Sequence, residues 1–466
     1  MSIIGRHTEQ EYLKTLLESD KAEFIMVYGR RRVGKTFLIR QFFQDKFCFR
    51  ITGLANSSNE DQLINFHSAL ANETGKTDNG VPKNWFEAFD RLKKYLANLD
   101  REKKVIFFDE LPWMDGKGSK FIPALEHFWN DFASFDKKIK LIVCGSAASW
   151  MVKKIVENHG GLHNRITFKM KLDPFDITEV KEFLHSKHIF WDNQTIAECY
   201  MAMGGIPYYL NFLTPEKSLA QNLDAMFFNE SPLLEGEFHN LYASLFLHSN
   251  EYIDIIEVLS KRKLGYSRDE IINALGCKDG GSLTRKLTEL EQCGFIRKYK
   301  ACNRVSTLYQ LIDFFSIFYF QFLRHGSDYD NDIWMHLSRT NTYTTWRGLG
   351  FERLCIAHSQ KIKAILGISG VSTKTYSVYH PSSQIDMVIE RGDNVVNLFE
   401  MKFTAEPYAL EKKSAENLAN KISVLREQLK KRQSIMTVLV TNQPAKRNEY
   451  FTQYIQKNIV LDEIVE

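Results

Sequence analysis

A chain of 466 residues exceeds what one hydrophobic core supports, and at about 100–200 residues per domain it divides into about three domains. Hydrophobic residues at 44%, charged residues at 25% and only 25 Gly and 10 Pro exclude collagen-like, low-complexity and largely disordered classes. Net charge is +4, and the whole excess lies in residues 340–466, where 17 Lys and Arg face 13 Asp and Glu while the rest balances at 44 against 44; this mildly favours a polyanionic partner there.

The first 172 residues alternate short apolar runs with amphipathic ones. FIMVY (24–28), FCFRIT (47–52), VIFFDE (105–110), LIVCGS (141–146) and RITFKMKL (165–172) read as strands buried on both faces, hence a parallel sheet covered by helices and an α/β fold class. From 173 to 240 the pattern turns helical, as a small lid and a Pro- and acid-bearing linker. Residues 241–312 read as three helices and a hairpin, the winged-helix arrangement, with Ser267 and Glu270 forming an S-x-x-E capping box. The aromatic run LIDFFSIFYFQFL (311–323) opens a connecting segment, 313–343, expected to pack the module against the C-terminal part of the chain. It is shorter than the roughly 18 apolar residues of a membrane span and carries Asp313. With no secretory layout in MSIIGRHTEQEYL, the expectation is a cytoplasmic protein without membrane contact. Seven cysteines without a C-x-x-C pair read as reduced thiols. Residues 344–466 read as a further α/β domain of a helix, three strands, a long helix (408–432) and another strand.

Gly29-Arg30-Arg31-Arg32-Val33-Gly34-Lys35-Thr36 matches G-x-x-x-x-G-K-[ST] after a strand and at the start of a helix. Backbone N–H groups there can wrap phosphate oxygens of ATP, Lys35 can reach the β- and γ-phosphates, and Thr36 can ligate Mg²⁺. VIFFDE ends in Asp109, suited to hold Mg²⁺, and Glu110, suited to polarise the attacking water.

Together with IIGRHTEQEYL, LIVCGS, HNRI, LDPF and GGIPYYL, these motifs resemble the archaeal-type ATPases of the signal-transduction branch of AAA-related P-loop proteins, over residues 1–240. The resemblance implies that Ser146 is a sensor polar group, Arg165 an arginine finger supplied within a homo-oligomer, and Pro207 part of a lid touching base or ribose. It also brings Arg6 near the adenine. The plainer alternatives are a helix cap for Ser146, a solvated charge for Arg165 and a helix-breaking turn at Pro207.

In QIDMVIERGDNVVNLFEMKF, two alternating strands flank the turn RGDN, so reflection about the turn sets Asp386 nearly opposite Glu400, with Glu400 and Lys402 on one face. Charges inside an otherwise apolar strand are costly to bury unless they bind something. This layout resembles the restriction-endonuclease-like PD-(D/E)XK superfamily, with Ile385 in place of the Pro. The resemblance implies that Asp386 and Glu400 hold Mg²⁺ or Mn²⁺, that Lys402 positions or activates the attacking water, and that Glu352, on the preceding helix, completes the metal shell. The Lys-rich helix ending Lys430-Lys431-Arg432 follows a nucleic-acid backbone or is simply solvated.

In the winged helix, Gly281 to Lys286 with Arg297, Lys298, Lys300 and Arg304 suits DNA, while a protein-docking role stays open. The resulting expectation is an ATP-regulated nuclease of DNA processing or defence, with a non-cleaving ATPase regulator of DNA or protein partners as the alternative.

Overall fold

The computed structural model describes residues 2–75, 80–146, 148–156, 164–299, 307–324 and 333–466. The chain divides into two compact units, Met1–Pro174 with Gln292–Gly294, and Phe175–Glu291 with Phe295–Glu466.

In the first unit the apolar runs become β1 (Glu23–Tyr28), β2 (Phe47–Thr52), β3 (Lys104–Asp109), β4 (Ile139–Gly145) and β5 (Phe168–Lys171). They form one parallel sheet in the order β2-β3-β4-β1-β5. β3 and β4 are buried along their whole length, which is why their sequences are apolar without alternation. Parallel neighbours need crossover helices. The helices Asn59–Thr74, Trp85–Ala97 and Phe121–Asp131 bury an aromatic core in which Trp85 meets Phe121 at 4.7 Å and Phe89 meets Phe128 at 5.2 Å between ring centroids. β5 is shorter than the run 165–172, and Arg165 falls in a turn before it.

The second unit opens with the helices Ile177–Ser186 and Asn193–Met203, capped by Asp176 and Asp192, and the short helix Pro207–Leu210. Gly205 between them has φ 66°, and a Cβ there would lie 2.1 Å from Phe175 O, so the turn requires glycine. The helices Ser249–Ser260, Arg268–Leu275 and Gly281–Gln292 come next, with the Ser267–Glu270 capping box in place. They accompany a three-stranded antiparallel sheet of β6 (Tyr266–Ser267), β7 (Ile296–Tyr299) and β8 (Leu308–Leu311), in the order β6-β8-β7. The sequence suggests only a hairpin, because β6 is two residues long. Lys300 and Arg304 lie outside the described residues.

The remaining strands are β9 (Thr373–His380), β10 (Ser383–Arg391), β11 (Val395–Lys402), β12 (Ser434–Thr441) and β13 (Lys457–Val460), ordered β13-β12-β11-β10-β9. β9, β10 and β11 run antiparallel in turn, whereas β12 and β13 continue parallel to β11. The helix Asn341–Ala357 packs on β11, and Lys412–Gln428 packs on β10. The latter is shorter than the expected 408–432, and Lys430, Lys431 and Arg432 fall in the exposed turn after it.

The segment 311–323 joins these parts. Asp313 caps the helix Phe314–Phe318, accepting from Ser316 N at 2.8 Å and Ser316 Oγ at 2.5 Å. Phe314 meets Tyr200 at 5.2 Å, Phe315 meets Tyr209 at 4.8 Å, Phe318 meets Trp334 at 5.2 Å and Phe322 meets Trp346 at 5.4 Å. Near the end of the chain, Val465 O accepts from Thr178 Oγ1 at 2.8 Å, and Asp462 Oδ1 accepts from Asn193 Nδ2 at 2.6 Å. Among the described residues no helix is long and apolar enough to cross a membrane, and none of the described cysteines is in a disulfide.

His358 is a buried strut between the helices Ile177–Ser186 and Asn341–Ala357. Its Nε2 accepts from Ile177 N at 2.9 Å, so the ring is neutral, with Nδ1–H donating to Leu354 O at 2.8 Å. Burial lowers its pKa from the ordinary 6.5, outweighing Leu354 O and Asp176. The unfolded chain therefore binds the proton more readily, and the stabilisation by neutral His358 is full above pH 6.5 and lost as pH falls towards the depressed value. We expect His358→Gln to cost about 1–3 kcal/mol at pH 8. It should also flatten the loss of stability on acidification below pH 6.5, read by denaturant unfolding; parallel pH profiles for the two proteins would refute the strut.

Candidate functional site

β1 delivers the chain to Gly29, where φ is 148° and a Cβ would lie 2.3 Å from Leu172 O. Gly34, at φ 89°, opens the helix Lys35–Phe43, and Arg32 between them is also left-handed at φ 73°. The loop thus curls at a helix N-terminus, whose first N–H groups have no partner within the helix and suit an anion. Lys35 Nζ is buried and donates to Gly29 O at 3.0 Å and Arg30 O at 2.8 Å. Burial lowers its pKa. Arg30 and Val33 are buried and Arg31 is exposed.

Because β4 lies between β1 and β3, the ends of all three strands converge beside this loop. Thr36 Oγ1 donates to Asp109 Oδ1 at 3.0 Å, and Arg40 approaches Asp109 at 3.7 Å. Burial first, then Glu110, raise the Asp109 pKa against the Thr36 hydrogen bond. The Thr36 hydroxyl and Asp109 carboxylate make an all-oxygen pair of the kind magnesium takes. Glu110 has φ 47°, which turns the chain sharply away from the sheet. Its carboxylate accepts from Ser146 Oγ at 2.6 Å on Oε1 and from Ser146 N at 3.2 Å on Oε2. Ser146 therefore orients Glu110. Arg6 is buried and donates from Nη2 to Val33 O at 3.2 Å, so it touches the loop itself. Arg165 is exposed, and Pro207 opens its short helix in the second unit.

In the second unit, the β10–β11 pairing runs from Glu390↔Val396 to Met387↔Phe399, and Asp386 and Glu400 each follow one residue beyond its last pair. The β9–β10 pairing shifts between Ile385 and Val388, a bulge that bends the strand at Asp386. Glu400 Oε1 accepts from Lys402 Nζ at 2.8 Å and Oε2 from Lys421 Nζ at 2.7 Å. Burial would raise the Glu400 pKa, but Lys421 and Lys402 outweigh it and hold the carboxyl below its ordinary range. Glu400 in turn outweighs burial at Lys402 and raises its pKa. Asp386 Oδ1 accepts from Gln384 Nε2 at 2.7 Å and from Lys263 Nζ at 2.8 Å, and Lys263 also pairs with Glu352. Burial and Asp386 raise the Glu352 pKa against Lys263.

The carboxylates expected to share a metal are thus divided. Glu352 and Asp386 meet on Lys263, while Glu400 faces Lys402 and Lys421. Among the described residues no three His, Cys, Asp or Glu side chains gather closely enough to hold a metal ion. Lys421 and Lys263 escaped the sequence reading; Lys421 is one lysine in a helix rich in them, and Lys263 comes from a distant loop. Arg297 is not turned to solvent for phosphates as expected but donates from Nε to Gln310 Oε1 at 2.6 Å. Lys286 pairs with Glu251, whereas Gly281, Ser282, Thr284 and Arg285 remain exposed.

A family described as an ATPase domain predominantly from Archaea matches residues 4–213. An uncharacterised protein of Methanocaldococcus jannaschii is 24% identical over 404 residues, covering 85% of this chain and 86% of that protein. An uncharacterised ATP-binding protein of the same organism is 46% identical over 43 residues, 9% of this chain and 73% of that protein. Among solved structures, the Walker-type ATPase of Pyrococcus abyssi aligns with a TM-score of 0.50 and 19% identity, over 68% of this chain and 96% of that one, a likeness of fold. The chain carries an archaeal-type ATPase domain, which supports ATP binding and hydrolysis.

Removing one charge-assisted contact to phosphate costs about 1.5–3 kcal/mol, so Lys35→Ala should weaken ATP binding about 10- to 100-fold in a fluorescent-nucleotide titration. With Glu110 as the group that polarises water, Glu110→Gln should slow hydrolysis by about 10²–10⁴ while ATP stays bound. Unchanged turnover would remove that role.

Proposed function

We propose that the chain is an ATP-regulated, metal-dependent nuclease, in which the archaeal-type ATPase domain controls a restriction-endonuclease-like domain at residues 344–466 through a winged helix at 241–312. The observation that supports this reading is that Asp386 and Glu400 stand at the end of the β10–β11 pairing, each next to its last pair, Met387↔Phe399, with Lys402 paired to Glu400 at 2.8 Å.

Asp386, Glu352 and Glu400 carry the hard oxygen atoms that Mg²⁺ takes, although Lys263 holds the first two and Lys402 with Lys421 the third, so that they do not stand as one metal shell. The ion would stabilise charge on the scissile phosphate and lower the pKa of bound water. Lys402 is held as an ammonium by Glu400, so it acts as a hydrogen-bond donor that orients water or phosphate and not as a base. The exposed start of the helix Gly281–Gln292 and the basic turn 430–432 suit a nucleic-acid backbone, with DNA favoured. Exposure of Arg165 suits an arginine finger in trans between copies of the chain, for which turnover rises faster than linearly with protein concentration.

A second reading, an ATPase regulator that binds without cleaving, is favoured by one observation: Glu352, Asp386 and Glu400 all have lysine partners within the chain.

Supercoiled plasmid, linear duplex and single-stranded DNA incubated with Mg²⁺ or Mn²⁺, with and without ATP, separate the two. ATP-sensitive cleavage lost in Lys402→Ala is the expected result. ATP hydrolysis with no cleavage of any substrate would leave the regulator.

A further inference from the structure

The cations around Glu352 and Asp386 outnumber them. Lys263 lies between the helix Ser249–Ser260 and β6, and its ammonium bridges the two carboxylates, at 2.8 Å from Asp386 Oδ1. Gln310 ties Lys263 to Arg297: its Nε2 donates to Lys263 O at 2.5 Å, and its Oε1 accepts from Arg297 Nε at 2.6 Å. Arg353 follows Glu352 on the helix Asn341–Ala357. Lys263, Arg297 and Arg353 thus surround two carboxylates, and Lys263 alone already pairs with both.

What is left unpaired is guanidinium. Among the described residues Arg353 has neither a hydrogen-bond acceptor nor an ion-pair partner, and its Nε is closed off from water. Arg297 uses its Nε on Gln310, and its two Nη groups have no acceptor among the described residues. Both side chains are half-buried, withdrawn from open solvent yet within reach of a ligand. Burial lowers the pKa of each, at Arg353 against Glu352 and Asp386 and with Arg297 lowering it further, and at Arg297 against Tyr299 and Asp386. The carboxylates therefore do not make good the loss of water, and the two guanidinium groups stand near enough to repel. A charged donor held out of water without an acceptor is costly, and a like charge beside it adds to that cost. An anion that accepts from both offsets the two costs together. Guanidinium presents its N–H groups as a planar fork that matches phosphate oxygens, and Lys263 neutralises the carboxylates that would repel such a ligand.

We infer that Arg297 and Arg353 form an anion site that takes a phosphate group of a nucleic-acid strand directly, with Lys263 neutralising Glu352 and Asp386 beside it. Arg297 stands on β7 and Arg353 on the first helix of the C-terminal domain, so one phosphate engages both the winged-helix module and the C-terminal domain. The inference shares with the reading above only its polyanionic partner, and it requires neither a metal ion nor cleavage.

The test is the fluorescence anisotropy of a labelled DNA duplex, and of a labelled RNA strand, titrated with the full chain in EDTA without nucleotide. Arg353→Gln and Arg297→Gln should each weaken binding about 10- to 100-fold and lower the slope of log affinity against log salt by about one. The midpoint of denaturant unfolding of Arg353→Gln without nucleic acid should stay or rise, because the variant removes a charge that the fold leaves unpaired. Equal affinity in wild type and both variants would overturn the anion site while sustaining the nucleic-acid partner. Weaker binding together with a lowered midpoint would overturn it as well, making Arg353 a support of the fold. Radiolabelled inorganic phosphate in equilibrium dialysis is the second arm: Arg353-dependent uptake of the ion, with nucleic-acid affinity unchanged, would overturn the strand as its source. No binding of DNA or RNA in any background would overturn both this inference and the nucleic-acid partner of the reading above.

Discussion

The aromatic side chains between Phe314 and Phe322 have to leave water, and no single neighbour is large enough to cover them. Each buried Phe contributes roughly 1.5–3 kcal/mol, and the segment collects its cover from several stretches of chain. Tyr200 and Tyr209 come from the helices after residue 175, Trp334 from the connecting segment and Trp346 from the first helix of the C-terminal domain. Asp313 makes this possible by capping the helix from inside, where an unsatisfied helix end would be expensive. The parts of the second unit share this seam, and Lys263 also reaches across them to Glu352 and Asp386.

The two sites set lysine against carboxylate in opposite ways. At the P-loop, burial dominates: Lys35 is pulled down and Asp109 pushed up, so both charges are costly and gain from a ligand that carries the complementary charge. At Glu400, the lysine pair outweighs burial, and the charges support one another without a ligand. A buried ion pair of this kind gives orientation more than stability. The first arrangement suits a site that awaits a polyanion with its metal, and the second suits one whose geometry is fixed in advance.

The parallel sheet was legible because β1, β3 and β4 are buried on both faces and so spell uninterrupted apolar words. The Ser267–Glu270 cap and the antiparallel pairing of β10 with β11 were legible for the same reason: each arises from spacing along the chain. What escaped is short or distant. β6 has two residues and β13 four, and neither the helix Glu449–Tyr454 nor Leu461–Val465 is long enough to show a period. The bridge from Lys263 joins residues far apart in sequence, and ion pairs of that kind leave no periodic trace. Arg297 shows the converse failure: a basic residue in a hairpin reads as solvent-facing until its hydrogen bond to Gln310 is seen.

The archaeal ATPase family match ends at residue 213, yet the helices Ile177–Ser186 and Asn193–Met203 belong to the same compact unit as the C-terminal domain. They are tied to the far end of the chain by Thr178 to Val465 and Asn193 to Asp462. The boundary that sequence families recognise therefore cuts through a packed interior. A cut made at that point would strand half of an interface on each side, leaving Thr178 and Asn193 without Val465 and Asp462.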